Sequence, residues 1–404
     1  MTAGHKAPRD LLLQLYREGV ACMSGRRLVR MALENDPEAP PTHLLAVGKA
    51  SLSMAAGALD SLSRPPSQAL VIHPDDQPAS AMPSWVECIA AQHPLPGAGS
   101  FLAGTAAERF IDELPTDARL LVLISGGGSS LMAAPRDGVS EEQLFSVHEW
   151  LLASGLDIVE VNRVRQAISR IKGGGLARRL GERDARVLCI ADIPPGMDAA
   201  LASGPFLPPL EGALPLLPDW VSILTAPVNP SGVPRIPHHL LADAAIFRET
   251  VADLAGQQSL PVAASPRWLE GDAADVGREL AEAILASEPG IFIWTGETTV
   301  ELPATPGRGG RCQQLALAAA DRIAGEDGCY LLACGSDGLD GPEGDAGAVV
   351  DGGTVARGME AGLSMEDALD YADAGRFLAA SGDLVDTGPT GTNVNDLIIG
   401  LRTQ

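Results

Sequence analysis

The chain is poor in positive charge and in aromatic side chains. It carries 29 lysines and arginines against 52 aspartates and glutamates, which gives a formal net charge of -23. A nucleic-acid partner needs a basic footprint and an anionic membrane surface attracts basic segments, so this balance argues against both partners. Aromatic residues make up only 4% of the chain. The core must therefore consist mainly of Leu, Val, Ile and Ala, which suits layered α/β domains.

Long apolar runs and clustered cysteines are also missing. No apolar run reaches the length of about 18 residues that a transmembrane helix needs, and residues 1–10 lack the apolar core of a signal peptide. The six cysteines are dispersed without a C-x-x-C pair, and the seven histidines show no metal-binding spacing. We therefore expect a cytoplasmic protein without a disulfide framework or a zinc site.

Short apolar runs recur along the chain, and a glycine-containing turn or an aspartate follows them. The clearest runs are 43–48, 118–124, 186–191, 291–294 and 329–334. Near-continuous apolar strands that alternate with helical segments indicate mostly parallel sheets covered on both faces. In such α/β folds, ligands bind beyond the carboxyl ends of the strands.

The length of 404 residues allows two or three domains. Prolines are dense over residues 194–237 and interrupt both helix and strand, so we place a domain boundary near residue 230. The predicted domains are 1–230 and 231–404. Amphipathic stretches follow at about 237–257 and 271–287, and His238-His239 is interpreted as the exposed start of a helix.

A glycine-rich loop at residues 306–311 holds two arginines, Arg308 and Arg311. Glycine lets the backbone approach a ligand closely, and the arginine fork matches phosphate or carboxylate oxygens. The helical run 313–320 follows, so the arginines lie at a helix N-terminus, which attracts anions. Taken alone, an anion site and an ordinary glycine-rich β-to-α connection explain this segment equally well.

A second glycine loop follows the apolar run at 119–124. It is neither a Walker A loop, nor a dinucleotide fingerprint, nor a nucleophile elbow, but a strand, a glycine loop and a helix start can present backbone N–H groups to a phosphate. Lys49, at the end of the run 43–48, would add a point charge in the same crevice. A tight turn beside an exposed lysine is the alternative. The loop consists of Ser125, Gly126, Gly127, Gly128, Ser129 and Ser130.

Further polar residues are spaced for one face of a helix that ends at Gly173 and Gly174. A solvated face is the ordinary explanation, but a lysine beside three glycines favours a second cationic site. These residues are Asn162, Arg165, Ser169 and Lys172.

Carboxylates and hydroxyls also follow strand candidates. Asp192 ends one apolar run, and Asp337 lies in the acidic turn 336–341. Either side chain could bind Mg²⁺ or act as a general base, although Asp-Gly turn chemistry is the simpler explanation for much of that turn. The loop 387–396 precedes an apolar strand, and its polar groups suit a polyol or phosphate contact, or a plain turn. They include Thr390, Asn393 and Asn395.

Taken together, these motifs resemble the glycerate 2-kinase family, whose C-terminal part is the MOFRL domain and whose members are often labelled hydroxypyruvate reductases. Ten segments match in the family's order and cover nearly the whole chain. They are V-G-K-A-S-x-x-M-A (47–55), H-P-L-P (93–96), L-I-S-G-G-G-S-S-L (123–131), N-R-V-R-Q-A-I-S-R-I-K-G-G-G-L-A (162–177), A-S-G-P (202–205), G-E-T-T-V (296–300), G-R-G-G-R (307–311), S-D-G-L-D-G (336–341), A-G-A (346–348) and T-G-P-T-G-T-N-V-N-D-L (387–397).

The resemblance implies two α/β domains, one Rossmann-like and one smaller, with the active site in the cleft between them. It implies ATP- and Mg²⁺-dependent phosphorylation of D-glycerate at the 2-hydroxyl. Lys49 and Arg311 correspond to the family's G-K-A and G-R-G-G-R motifs, and we expect both to be essential. Asp192 is expected to orient the hydroxyl or bind the metal, with Asp337 as a second metal ligand.

The remaining site residues divide into two expected groups. The phosphate-binding group comprises residues 125–130 with Lys172, Gly173 and Gly174. The substrate-binding group comprises Asn162, Arg165, Arg308, Thr390, Asn393 and Asn395.

The chain departs from the family pattern at several polar positions that we interpret as close to the substrate. They are Gly97, Ala167, Pro195 to Met197, Cys312 and Gln314. Three alternatives therefore stay open: a kinase of another small hydroxy acid, a hydroxypyruvate reductase and a non-catalytic metabolite-binding relative. The expected partners are a nucleotide and a small hydroxy acid, and a homodimer is an open alternative for the assembly.

Overall fold

The computed structural model describes residues 7–34, 38–194, 198–342 and 344–403. The chain forms two compact units. The first unit comprises residues 25–241, and the second unit joins residues 242–404 to the N-terminal helix α1 (Pro8–Cys22). The N-terminal helix thus groups with the C-terminal part of the chain, and the chain passes from one unit to the other at residue 241 rather than near 230. No helix in the described ranges has the length and apolar character required to cross a bilayer.

The first unit is built on a six-stranded sheet in the order β3-β2-β1-β4-β5-β6. Parallel pairing joins β1 to β2 and β4, β2 to β3, and β4 to β5. The strands are β1 (His43–Val47), β2 (Gln68–Pro74), β3 (Glu87–Ala91), β4 (Arg119–Ile124), β5 (Asp184–Ile190) and β6 (His238–Ala242).

Helices and one short 3-10 segment, Asp198–Ser203, accompany this sheet. The apolar runs of β1, β4 and β5 are almost completely buried, as their composition predicts. The helices are α2 (Gly25–Glu34), α3 (Ser51–Ser61), α4 (Ala98–Asp112), α5 (Gly128–Leu131), α6 (Glu141–Ala153), α7 (Ile158–Ala167), α8 (Gly175–Leu180) and α9 (Asp219–Ser222).

The second unit contains another six-stranded sheet, in the order β11-β10-β9-β12-β8-β7. Its strands are β7 (Val262–Leu269), β8 (Gly290–Gly296), β9 (Cys329–Gly335), β10 (Gly347–Asp351), β11 (Leu384–Val385) and β12 (Asp396–Arg402). Its further helices are α10 (Ala244–Ala255), α11 (Ala273–Leu285), α12 (Arg311–Arg322), α13 (Thr354–Glu360), α14 (Met365–Asp370) and α15 (Ala374–Ser381).

The α/β class is confirmed, but the second sheet is mixed rather than mostly parallel. Only β7 and β8 pair in parallel, whereas β12 lies antiparallel between β8 and β9 and β10 is antiparallel to β9 and β11. The crossover β8-α12-β9 does give β8 and β9 the same direction, as the alternating pattern predicts, but the last strand inserts between them. Apolar runs are typical of parallel strands because both of their faces are buried. Here helices cover a largely antiparallel sheet as well, so its buried strands show the same pattern.

Two local predictions are wrong. Helix α7 ends at Ala167, so Ser169 and Lys172 do not share its face. The cause is a turn: Ser169 Oγ and Arg170 N both donate to the Ala134 carbonyl, at 3.1 Å each, which pulls the chain out of the helix. His238 and His239 begin strand β6 rather than a helix.

Candidate active site

In the first unit, the turn after β1 is joined to the turn after β4 by close backbone contacts. Gly48 has φ +126, and a Cβ on it would lie 2.2 Å from Ser125 Oγ, so only glycine fits. Ser125 Oγ accepts the Ala50 N–H at 2.9 Å, and Lys49 N donates to the Gly126 carbonyl at 2.8 Å. Lys49 is therefore held directly beside the glycine loop, as the sequence predicts.

The glycines of this loop make room for functional side chains. A Cβ on Gly126 would lie 1.7 Å from Asp192 Oδ2, so the carboxylate rests on the bare Cα of the loop. A Cβ on Gly127, whose φ is +78, would lie 3.1 Å from the His93 ring and 3.2 Å from Lys49 Cγ. The side chain of Asp192 therefore packs against Gly126, and those of Lys49 and His93 pack against Gly127.

A hydrogen-bonded chain of side chains runs behind the loop. Lys172 Nζ donates to Ser129 Oγ at 3.0 Å and also to the Ser129 carbonyl. The Ser129 and Ser203 hydroxyls are 2.7 Å apart, and Ser203 Oγ donates to Asn162 Oδ1 at 2.7 Å. Lys172 and Asn162 are therefore brought together through two serines, although they do not share a helix face.

Positive charge is concentrated around this chain. Burial, reinforced by the charge of Arg165, lowers the pKa of the Lys172 ammonium well below its ordinary value. Burial also lowers the pKa of Arg165 to about 10, and its Nε has no hydrogen-bond partner among the described residues. Cations whose charged forms are disfavoured in this way are stabilised by a bound anion. The arrangement is therefore suited to hold phosphate or carboxylate oxygens.

Two histidines that were not predicted as site residues belong to the same region. Part of His93 is exposed, but neighbouring protein atoms exclude water from much of its surroundings. This loss of solvation lowers the pKa of its ring, and the charges of Lys49 and Arg165 lower it further. His148 is 1% exposed, and burial together with the charges of Arg165 and Lys172 lowers its pKa to about 3. His93 lies in the motif H-P-L-P, which gave a signal, whereas nothing in the sequence around His148 marks it.

Gly173 and Gly174 support the site from within the protein. Their φ angles are +53 and +78, and their N–H groups donate to the carbonyls of Ser203 at 3.1 Å and Gly204 at 2.8 Å. Gln166 Nε2 also donates to the Ser203 carbonyl, at 3.0 Å. These glycine N–H groups are occupied, so they position the 203–204 turn rather than face a phosphate.

In the second unit, Arg311 is the centre of an ion-pair network. Strand pairing places Asp396 opposite Gly296 of β8 and Gly335 of β9, so the carboxyl ends of two strands meet the start of β12 there. Arg311 Nε and Nη2 donate to the two oxygens of Asp396 at 2.6 and 3.0 Å, and Nη1 lies 2.8 Å from Glu297 Oε1. Burial disfavours the charged guanidinium, but these carboxylates outweigh it and hold the pKa of Arg311 above its ordinary value.

Arg308 anchors its own loop. Its Nη2 donates to Asp345 Oδ2 at 2.6 Å, and its backbone N donates to Asp373 Oδ1 at 2.8 Å. Gly309, with φ +142, lies against the backbone of Gly375. The arginine-glycine loop is thus fixed to two neighbouring segments, and Asp345 is the ion-pair partner of Arg308.

The polar loop before β12 is largely folded onto the turn that follows β9. Thr390 Oγ1 donates to the Ser336 carbonyl at 2.6 Å, and its backbone N donates to the Asp337 carbonyl at 3.1 Å. Asn395 adopts φ +66, and its Nδ2 donates to Glu297 Oε2 at 3.1 Å. Asn393 is buried in the same loop. Asn395, Glu297, Arg311 and Asp396 therefore form one connected network.

Asp340 holds the start of α12 immediately behind Arg311. Its carboxylate accepts the N–H groups of Cys312 at 3.0 Å and Gln313 at 2.7 Å. A Cβ on Gly310 would lie 2.3 Å from Asp340 Oδ1, so the glycine admits this cap. Burial raises the pKa of Asp340 to about 7, while the two N–H groups oppose that shift.

The departures from the family pattern fall mainly on core positions. Ala167 and Cys312 are buried, and Gln314 is 6% exposed and donates to the Leu369 carbonyl at 2.9 Å. All three side chains are buried within their own units, and their position beside the substrate stays a prediction. Gly97 is the N-cap of α4. Residues 195–197 lie outside the described residues.

The two predicted metal ligands lie in different units. Asp192 belongs to the first unit and Asp337 to the second. Asp337 Oδ1 accepts the Leu339 N–H at 3.1 Å, within its own turn. Across the described ranges, no group of three or more His, Cys, Asp or Glu side chains is arranged to hold a metal. Mg²⁺ commonly combines one or two carboxylates with phosphate oxygens and water, so it does not need such a group of three.

Comparison with known proteins identifies relatives along the whole chain. A model described as a domain of unknown function, DUF4147, matches residues 11–214, and the MOFRL family model matches residues 290–396. The D-glycerate 2-kinase of Thermotoga maritima is 32% identical over 89% of this chain and 90% of its own length. A protein of Agrobacterium vitis, provisionally named hydroxypyruvate reductase, is 32% identical over 98% of this chain and 95% of its own.

A solved structure extends the likeness to the fold. The crystal structure of glycerate kinase from Thermotoga maritima matches with a TM-score of 0.85 and 30% identity, covering 98% of this chain and 99% of that one. The site residues described above lie within or beside the segments that the two family models cover. The chain therefore belongs to the glycerate 2-kinase family of phosphotransferases, with a MOFRL domain in its C-terminal part.

Proposed function

We propose that this protein transfers the γ-phosphoryl group of ATP to the 2-hydroxyl of D-glycerate and releases 2-phosphoglycerate and ADP. The observation that carries the proposal is the cationic region around the glycine loop of the first unit. There Lys49, Arg165 and Lys172 lie close enough to shift the pKa values of their neighbours. The names of the relatives from Thermotoga maritima support glycerate as the acceptor.

The loop at residues 125–130 is proposed to bind the phosphates of the nucleotide. Phosphoryl transfer depends mainly on positioning and on neutralising charge in the transition state. Lys49, held beside Gly126 and Gly127, supplies a positive charge next to this loop. Lys172 fixes Ser129 from behind, so its role in our proposal is to keep the loop in shape.

Asp192 is the side chain best placed to hold Mg²⁺. It rests on Gly126, and its carboxylate is the kind of ligand that Mg²⁺ combines with phosphate oxygens and water. The ion, when bound, neutralises charge on the phosphates. Asp337 fits less well, since one of its oxygens is engaged in its own turn.

Arg165 is proposed to hold the carboxylate of the acceptor. Its buried Nε is without a hydrogen-bond partner among the described residues, and a guanidinium binds a carboxylate through two parallel hydrogen bonds. Asn162 lies on the same helix and is buried beside Ser203. Acceptor contacts from Arg308, Thr390, Asn393 and Asn395 stay predictions, although Arg308 and Thr390 also have the protein partners described above.

Arg311 is proposed to be essential for turnover as a rigidly held cation. The carboxylates of Glu297 and Asp396 both pair with its guanidinium and fix its position. A bidentate pair of this kind supplies orientation as well as energy.

An assay of ADP release with D-glycerate, followed by NMR assignment of the phosphorylated carbon, tests the proposal. We expect turnover with D-glycerate and a product carrying phosphate on C2. Phosphate on C3 would refute the regiochemistry. Turnover only with a larger hydroxy acid would refute the acceptor and keep the reaction class. ATP binding without turnover on any acceptor would identify a non-catalytic relative.

A reductase function is the second candidate, because the Agrobacterium vitis relative carries that name. The loop after β4 lacks the G-x-G-x-x-G spacing that cradles a dinucleotide pyrophosphate, which disfavours it. Oxidation of NADH by hydroxypyruvate in the presence of the purified protein would support this candidate over the kinase.

A further inference from the structure

An apolar cavity lies in the first unit, near the carboxyl ends of β4 and β5. Its volume is about 150 Å³, and nearly all of its lining is apolar. The lining includes Ile124, Cys189, Ala191, Phe206, Leu207 and His238. No role described above uses this cavity.

Three residues that line the cavity are adjacent in sequence to residues of the proposed phosphate site. Ile124 precedes Ser125 of the glycine loop, and Ala191 precedes Asp192. Gly204, also in the lining, follows Ser203 of the hydrogen-bonded chain. A ligand whose charged end reaches the glycine loop therefore has an apolar space beside it.

The size and chemistry of the space suit one flat aromatic group. An apolar cavity of about 150 Å³ lined by aliphatic side chains stays dry when empty and accepts a molecule such as benzene. The polar exception in the lining is His238, whose Nδ1 lies 2.8 Å from the Ile236 carbonyl. A carbonyl only accepts, so Nδ1 carries the proton, and Nε2 of the neutral ring is left as an acceptor. Burial lowers the pKa of His238, which favours the neutral ring.

We propose that this cavity receives the nucleobase of the phosphoryl donor, with Nε2 of His238 accepting a hydrogen bond from an exocyclic amino group. This inference rests on the proposed kinase function. It predicts a preference for adenine and cytosine, whose amino groups occupy C6 and C4, over guanine and uracil, which carry a carbonyl oxygen at those positions. Two acceptors facing each other would leave both without a partner, which is the basis of the discrimination.

Two variants of the full-length protein test the site. Cys189→Leu fills part of the cavity, and we expect the KM for ATP to rise about tenfold or more, as for other hydrophobic pockets changed by a methylene or more. His238→Ala removes the acceptor, and we expect the preference for ATP over GTP in kcat/KM to shrink about tenfold. The control is His239→Ala, because His239 is an exposed neighbour on the same strand that does not line the cavity.

The readouts separate this inference from the kinase proposal. Support requires that the KM for D-glycerate stays near the wild-type value in all three variants, and that calorimetric ATP affinity falls in step with the KM. An unchanged KM for ATP in Cys189→Leu and an unchanged nucleotide preference in His238→Ala, with wild-type turnover intact, would overturn the inference alone. Wild-type protein that neither binds nor uses any nucleotide would overturn the kinase proposal as well.

Discussion

At the scale of single residues, the contact between Gly126 and Asp192 limits what the glycine loop tolerates. Gly126→Ala would place a methyl group 1.7 Å from Asp192 Oδ2, so the loop or the carboxylate must move. We expect turnover to fall about 100-fold, as a displacement of about 1 Å in a positioned group can cost. The measurement is kcat with saturating ATP and D-glycerate.

Gly256→Ala is the matched control for that change. Its Cβ would meet the nearest atoms at 3.4 Å, an ordinary contact, and the residue has a helical conformation. We expect near-normal turnover. If Gly126→Ala were as active as Gly256→Ala, the close packing of Asp192 on the loop would have no functional importance.

The pair Arg311–Asp396 gives a second residue-scale prediction. Asp396→Asn removes the charge that balances the guanidinium and one of its two acceptor oxygens. We expect kcat to drop about 100-fold because Arg311 loses its fixed orientation. Glu279→Gln, which weakens the exposed pair with Arg267, should leave kcat unchanged. Wild-type kcat in Asp396→Asn would show that the orientation of Arg311 is irrelevant to turnover.

The sequence located the cations of both sites, but it did not identify their partners. Lys49 lies beside the glycine loop as predicted. The reason is that β1 and β4 are parallel neighbours, so their carboxyl ends meet at the same edge of the sheet. The two carboxylates around Arg311 come from distant segments, β12 and the turn after β8, which no local pattern connects. His93 and Ser203 lie in the matching segments 93–96 and 202–205 but were not predicted as site residues, whereas nothing in the sequence around His148 marks it.

At the scale of elements, Asp340 is the structural support of α12. Gly310 provides no side-chain cap, and the Asp340 carboxylate accepts two N–H groups of the first turn instead. Asp340→Ala leaves both donors buried without a partner, and we expect a loss of about 1–3 kcal/mol in the free energy of unfolding. Asp321→Ala, on the same helix, is the control and should change stability by less than about 0.5 kcal/mol. Equal stability of the two variants in denaturant titrations would exclude the capping role.

Strands that are apolar throughout could be predicted from the sequence. The prediction failed where tertiary contacts decide which unit an element belongs to. β1, β4, β5, β8 and β9 match predicted runs. Helix α1 could not be assigned from the sequence, since its amphipathic pattern does not tell which unit it covers. In the structure Tyr16 Oη donates to the Gly335 carbonyl at 2.7 Å, and Arg9 pairs with Asp351 and Asp383, all within the second unit.

At the scale of the whole molecule, buried neutral histidines should make stability depend on pH. His148 has a folded pKa of about 3 against an ordinary value of 6.5. Between these values the unfolded chain binds a proton that the folded protein does not, so stability is full above pH 6.5 and falls as the pH drops toward 3. The slope contributed by one such histidine approaches about 1.4 kcal/mol per pH unit.

His148→Gln should therefore flatten the loss of stability in acid. Denaturant titrations between pH 4 and pH 7 measure the slope, and His239→Gln, at an exposed position, is the control. An identical pH dependence in wild type and His148→Gln would show that His148 titrates normally in the folded protein.

We propose that the glycine loop of the first unit, with Lys49 beside it, supports phosphoryl transfer from ATP to D-glycerate. The most direct test is ADP release by wild type and Lys49→Ala with D-glycerate, with unfolding curves to confirm that both proteins fold. We expect wild-type turnover and a loss of about 100- to 1000-fold in the variant, as when a single charge-stabilising group is removed. Turnover in Lys49→Ala equal to that of wild type would contradict a role of Lys49 and its loop in phosphoryl transfer.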